Sequence, residues 1–203
     1  KLTVKADLSL NNRLFVNGDA LINALTVGKG GGNVSTNTAV GIDALIINST
    51  GYENTAFGTN ALTDNTTGYR NVATGYQALY ANTMGYNNVA TGYQALNKNT
   101  IGNNNVASGK TALYSNTTGE YNVASGATSL YYNTTGLGNT SCGQSAGIYN
   151  TTGSNNTFIG YNANINSTSA TWSNSTALGY TAQITKSDQI VLGKSSSPPE
   201  VYI

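Results

Sequence analysis

Side chains that do chemistry are few in this sequence. Four acids fall in its regular part, Asp43, Glu53, Asp64 and Glu120, and no two share a phase of the repeat described below. They therefore predict no carboxylate pair for acid–base work. Histidine is absent, which removes the commonest general base and a common metal ligand. Cys142 is the single cysteine, so no intrachain disulfide is possible. It stands where other units carry Val or Thr and reads as a small buried apolar residue. The run Gly30-Gly31-Gly32 lacks the strand–loop–helix setting of a phosphate cradle. The repeated Asp of calcium-binding nonapeptides is missing too. The sequence thus predicts no catalytic residue, no metal site and no cofactor, and the chain reads as a non-enzyme.

What remains is chemistry of contact. Tyr52, Tyr69 and Tyr86 follow one another at 17-residue steps. Tyr76 and Tyr93 do the same at another phase, where Tyr161 and Tyr180 also fall, and Tyr80, Tyr114 and Tyr131 share a third. Flat rings among neutral amides suit sugar rings, and packing between units is the plainer use of the same residues. Trp172, the single tryptophan, lies in the polar stretch Asn166–Ser175 and is the candidate for an exposed contact. Ten Asn-x-Ser/Thr sequons occur, among them Asn65, Asn116, Asn133 and Asn150. They are N-glycan acceptors in a secretory context, although half of them fall in a turn that the repeat requires anyway.

The elements that must position these residues come from one periodicity. Asn37, Asn54, Asn71, Asn88, Asn105, Asn122, Asn139 and Asn156 are each 17 residues apart. Each opens a five-residue segment of the NVATG type, closed by Gly41, Gly58, Gly75, Gly92, Gly109, Gly126, Gly143 and Gly160. An Ala-Leu pair follows, as at Ala78-Leu79, and then an Asn-Thr-Thr-Gly turn. Two glycines and a turn in 17 residues leave no room for packed helices. A unit this small cannot bury its own apolar face, whereas stacked units can, provided that every rung has the same length. The prediction is an all-β, parallel β-solenoid of 17-residue rungs, with strands about 4.8 Å apart. Alternation puts Asn, Ala and Gly of NVATG on one face and Val and Thr on the other; which face is interior stays open. The repeated Asn reads as structural, able to form amide ladders and to tolerate left-handed turns.

Four segments follow from this reading: a β-stranded stem or collar over 1–32, eight regular rungs over 33–160, an irregular part over 161–193 and a linker over 194–203. Within 161–193, Gly160 to Gly179 spans 19 residues and Gly179 to Gly193 spans 14.

The charge balance of nine basic and eight acidic residues, 8% charged in all, gives no footprint for nucleic acid or anionic lipid. Nor does any run reach the roughly 18 apolar residues of a membrane span. The chain has 30 Asn and 24 Gly among its 203 residues. Identical residues stack in a solenoid, so a charge repeated in every rung would repel itself, and neutral Asn and Thr avoid this.

The unit NVATGYQALYANTMGYN resembles the phage-tail-repeat sequences of phage and large-virus fibre proteins. The segment DLSLNNRLFVNGDALINALTVG is similar to fibre segments beside such repeats, and the 14-residue unit ending SDQIVLG resembles head repeats of trimeric autotransporter adhesins. The resemblance implies a homotrimer of left-handed parallel β-rolls on a virion surface or otherwise extracellular. Some such fibres continue past a Val-Tyr-Ile strand, here Val201–Ile203, into a self-cleaving chaperone domain, and that activity is not expected of this sequence.

The expected function is host attachment through a cell-surface glycan or receptor, multiplied by three copies. The second reading is a passive spacer. A third is ice binding, since Thr66-Thr67, Thr117-Thr118, Thr134-Thr135 and Thr151-Thr152 recur in phase. Met84 and Ile101 interrupt that array, and it lies in a turn rather than on a strand, where alternate residues would share a face.

Overall fold

Each NxAxG segment is short, carries small or β-branched residues and is bounded by turn residues, which favours an isolated strand of three or four residues over a helix. In the computed structural model, which describes residues 20–22, 25–166 and 171–193, every one of them forms such a strand. They are β3 (Thr38–Gly41), β4 (Thr55–Phe57), β5 (Val72–Thr74), β6 (Val89–Thr91), β7 (Val106–Ser108), β8 (Val123–Ser125), β9 (Thr140–Cys142) and β10 (Thr157–Ile159). All pair in parallel, each with the next, so the chain is a parallel β-solenoid. The register is in phase throughout: Ala56 opposes Ala73, which opposes Ala90 and then Ala107.

The sheet runs on through the irregular part. Strand β12 (Thr176–Leu178) pairs with β10 across the 19-residue step, and β14 (Ile190–Leu192) pairs with β12 across the 14-residue step. Here β11 (Asn164–Ile165) and β13 (Gln183–Ile184) form a second small parallel sheet. The insertion and deletion are thus absorbed between strands, and the main ladder keeps its register.

The open question of faces is settled by burial. The third residue of each NxAxG segment points inward: Ala39, Ala56, Ala73, Ala90, Ala107 and Ala124 are wholly buried, as are the Ala-Leu pairs such as Ala78-Leu79 and Ala95-Leu96. Ladder asparagines line the same interior. The bulkier face, with Val72, Val89, Val106, Val123, Phe57, Ile159 and Leu178, is exposed. Cys142 belongs to that outer face and is exposed, which corrects the expectation of burial. The reason is alternation: the fourth residue of the segment points away from the Ala column.

Tight corners make the inner column possible. At Gly58, φ is +138°, and an added Cβ would lie 2.6 Å from the carbonyl oxygen of Gly75 one rung below, so only glycine fits. Leu79 and Leu96 hold φ of 52° or less in the left-handed region, a conformation costing about 1–2 kcal/mol for an L-residue. Burial of the side chain, together with a bond from the Leu79 N–H to the Ala95 carbonyl (3.0 Å), offsets it.

At the first rung the stack changes direction. Strands β1 (Ala20–Ile22) and β2 (Leu25–Gly28) are antiparallel, and β2 lies antiparallel to β3. This covers an edge that would otherwise template another chain. The glycine run caps the interior beside it, where the Gly31 N–H donates to the Leu45 carbonyl at 2.8 Å. The stem expected over 1–32 lies outside the described residues for 1–19 and 23–24, as does the linker over 194–203.

Candidate functional site

Two amide ladders run through the interior. In the first, built on the predicted series Asn37 to Asn156, the backbone N–H of each asparagine donates to the Oδ1 of the one a rung earlier, at 2.9–3.0 Å. Its Nδ2 donates to a turn glycine carbonyl, as Asn71 does to Gly85 (2.8 Å) and Asn88 to Gly102 (2.9 Å). Each asparagine of that series is thus tied into the hydrogen bonding of the stack.

The second ladder was not singled out from the sequence. It uses the asparagine of each turn: Nδ2 of Asn65, Asn82, Asn99, Asn116, Asn133 and Asn150 donates to the Oδ1 one rung earlier, at 2.8–3.1 Å. The same Nδ2 also donates to the glycine carbonyl three residues on, as Asn99 does to Gly102 (2.9 Å). Each turn glycine carbonyl thus joins the two ladders. The signal was present, an Asn fixed three residues before every turn Gly, but it was read only as turn chemistry.

The rungs differ where the core is repacked. Ser129 and Ser141 replace two inner alanines, and Ser129 Oγ donates to Ser141 Oγ (2.7 Å), which donates to the Ala146 carbonyl (2.8 Å). Both hydroxyls are wholly buried, so the pairing is what makes them tolerable.

Outside, the tyrosines form the predicted columns. Rings of Tyr52 and Tyr69 stack at 4.9 Å and 3°, those of Tyr69 and Tyr86 at 4.8 Å and 1°. Tyr76 stacks on Tyr93 (5.4 Å) and Tyr161 on Tyr180 (5.6 Å). The third phase is broken by Asn97, leaving Tyr114 on Tyr131 (5.1 Å) with Tyr132 edge-on to Tyr131 (4.7 Å). Tyr76, Tyr93 and Tyr161 are exposed, so these columns are accessible.

Arg70 bonds Glu53 (2.8 Å) one rung away and lies over the Tyr52 and Tyr69 rings at 6.0 and 5.7 Å. The hydrogen bond to Glu53 and its charge hold the Arg70 pKa above the usual arginine value. Burial, then the neighbouring Tyr114 and Tyr132, raise that of Tyr131. The Arg70–Glu53 pair thus places opposite charges on adjacent rungs, where like charges would repel.

Trp172 departs from its expected role. It is half-buried against the core, and its carbonyl accepts from Asn156 Nδ2 (2.7 Å), where other rungs offer a turn glycine. It ends the amide ladder instead of standing free in a loop. The Thr array is also committed: the hydroxyls of Thr66, Thr83, Thr100, Thr117 and Thr134 donate to the next rung's carbonyl at 3.0–3.1 Å.

Among the described residues, no three of His, Cys, Asp or Glu come together as metal ligands, and no helix is long and apolar enough to cross a membrane. Comparison with protein-family models, curated proteins and solved structures returns no match.

Proposed function

We propose that this chain is a rigid segment of a viral or phage fibre, assembled from three copies, that displays neutral polar and aromatic columns to a host surface. The outer face of the parallel sheet carries this reading. Val72, Val89, Val106 and Val123 make an exposed apolar stripe, extended by Phe57, Ile159 and Leu178. Other copies of the chain cover that stripe, because an identical repeat offers each copy the same rise from rung to rung. Tyr76, Tyr93 and Tyr161, just past the strand glycines, border it and supply the glycan contacts. Shallow contacts made in three copies then sum by multivalency.

A glycan array and host-cell binding assay, run on the wild type and on Tyr93→Ala and Tyr161→Ala, tests the display. Binding lost in the variants supports it, and a wild type that binds nothing leaves the spacer role. One observation favours the spacer for part of the surface. Tyr69 and Tyr86, stacked in one column with Tyr52, are only half-exposed, so they offer a sugar less ring surface than Tyr76, Tyr93 and Tyr161 do. Sedimentation of the intact chain tests the assembly, and a monomer at micromolar concentration would overturn it.

A further inference from the structure

We infer that this chain must fold where N-glycosylation does not reach it, because the fold closes six of its ten sequons from inside. The acceptor asparagines Asn48, Asn65, Asn116, Asn133, Asn139 and Asn150 are all buried. Their Nδ2 atoms, to which a glycan would be joined, are the donors of the amide ladders. Asn65 Nδ2 donates to Asn48 Oδ1 (2.9 Å) and the Gly68 carbonyl (3.0 Å); Asn116 Nδ2 donates to Asn99 Oδ1 (2.8 Å) and the Gly119 carbonyl (3.0 Å). Asn139 Nδ2 donates to Asn122 Oδ1 (3.1 Å) and the Gly153 carbonyl (2.8 Å).

Both hydrogens of each amide are spent, so a sugar would displace a ladder bond. It would also need room where a single Cβ on Gly68 would sit 2.7 Å from Asn82 Nδ2. The glycan is added to an unfolded acceptor. Parallel sheets built from non-local pairings close slowly, so the sequons stay open to the transferase first. Four sequons escape this conflict, since Asn33, Asn155, Asn166 and Asn174 are exposed.

The repeat itself supplies the control. The units Asn82-Thr83-Met84 and Asn99-Thr100-Ile101 keep the ladder but lack the sequon, with Met84 and Ile101 exposed. Isoleucine at residues 50, 67, 118, 135 and 152 therefore silences five sequons on a surface position that accepts it. Ser129→Ala with Ser141→Ala silences the sixth by restoring the alanine pair of other rungs. Maturation of the chain is at stake here, whatever its surface binds.

The experiment makes wild type and the sevenfold variant (Thr50→Ile, Thr67→Ile, Thr118→Ile, Thr135→Ile, Thr152→Ile, Ser129→Ala, Ser141→Ala) in a eukaryotic cell, each with and without a secretory signal. Glycan occupancy is read by mass spectrometry and folding by protease resistance. Without the signal both forms are expected to be protease-resistant, which also shows that the variant folds. With the signal, the wild type is expected to carry glycans on ladder asparagines and to lose most of its resistant fraction, while the variant keeps it. Wild type translocated in the presence of a competing acceptor tripeptide, which lowers occupancy without any substitution, is expected to recover. A secreted wild type that is resistant, with or without ladder glycans, overturns the inference. So does a failure of both the variant and the competitor to restore folding.

Discussion

Gly147 and Phe158 exchange volume across the core. Gly147 stands in the column otherwise filled by Leu45 through Leu130, and Phe158 stands in the alanine column of the strands. A Cβ on Gly147 would lie 2.7 Å from Phe158 Cδ2 and 2.9 Å from Leu130 Cδ2. The benzyl group thus occupies the space that a leucine vacates.

This predicts strong coupling in a double-mutant cycle. Phe158→Ala alone should cost about 3–5 kcal/mol through the cavity it leaves. Gly147→Leu alone should be destabilising through overlap with the ring. Combined, they rebuild the pattern of the other rungs and should recover much of the loss, with a coupling energy above about 1 kcal/mol in urea unfolding. Simple additivity would show that the two sites do not share the space.

The amide ladders predict a distinctive response to a single isosteric change. Asn99→Asp replaces a donor by an oxygen facing Asn82 Oδ1 and the Gly102 carbonyl, now 2.8 and 2.9 Å from Nδ2. Only the protonated acid can donate there, so the folded state should hold this carboxyl's pKa above the usual value near 4. Stability should be best kept below that pH and lost as the pH rises through the folded value. Thermal melts between pH 3 and 7 check the sign. Thr118→Ala on the exposed turn should change stability by less than about 0.5 kcal/mol.

Much of this architecture was legible because it is periodic. Asn37 to Asn156 and Gly41 to Gly160 set strand position, rung length and the first ladder without any tertiary information. What escaped has physical causes. NVATG has the same alternation seen from either side, so only burial of Ala73 against exposure of Val72 decides the face, and Cys142 was misplaced with it. Leu79 at positive φ cannot be read from a residue type that normally avoids it. Trp172 was judged by its polar neighbours in sequence, whereas the 19-residue step carries it back to the end of the ladder.

Alkaline titration offers a third test. With no histidine in the chain, the melting temperature should be nearly flat between pH 6 and 8. Higher up, Tyr131 matters, because burial raises its folded pKa above the ordinary tyrosine value. Its contribution is complete below the unfolded value near 10 and disappears as the pH rises through the folded one. Tyr131→Phe should reduce that alkaline loss, and an unchanged alkaline limb would count against it.

Cys142 reports on the proposed assembly. Its thiol is exposed on the outer strand face, so a maleimide should label the isolated chain readily. In assembled trimer the labelling rate should fall at least tenfold, whereas Thr135→Cys on the exposed turn should label at one rate in both states. Equal rates at Cys142 would place the interface elsewhere.

Strands β5 to β8 follow one another at 17-residue steps and in one register, and their inner residues are the same from rung to rung. The units of β5, β6 and β7 can therefore follow one another without a seam, and recombination among these repeats in the gene would insert or delete a whole storey without disturbing those above and below. Reach becomes a trait that can be inherited in discrete increments, separable from whatever the surface columns touch.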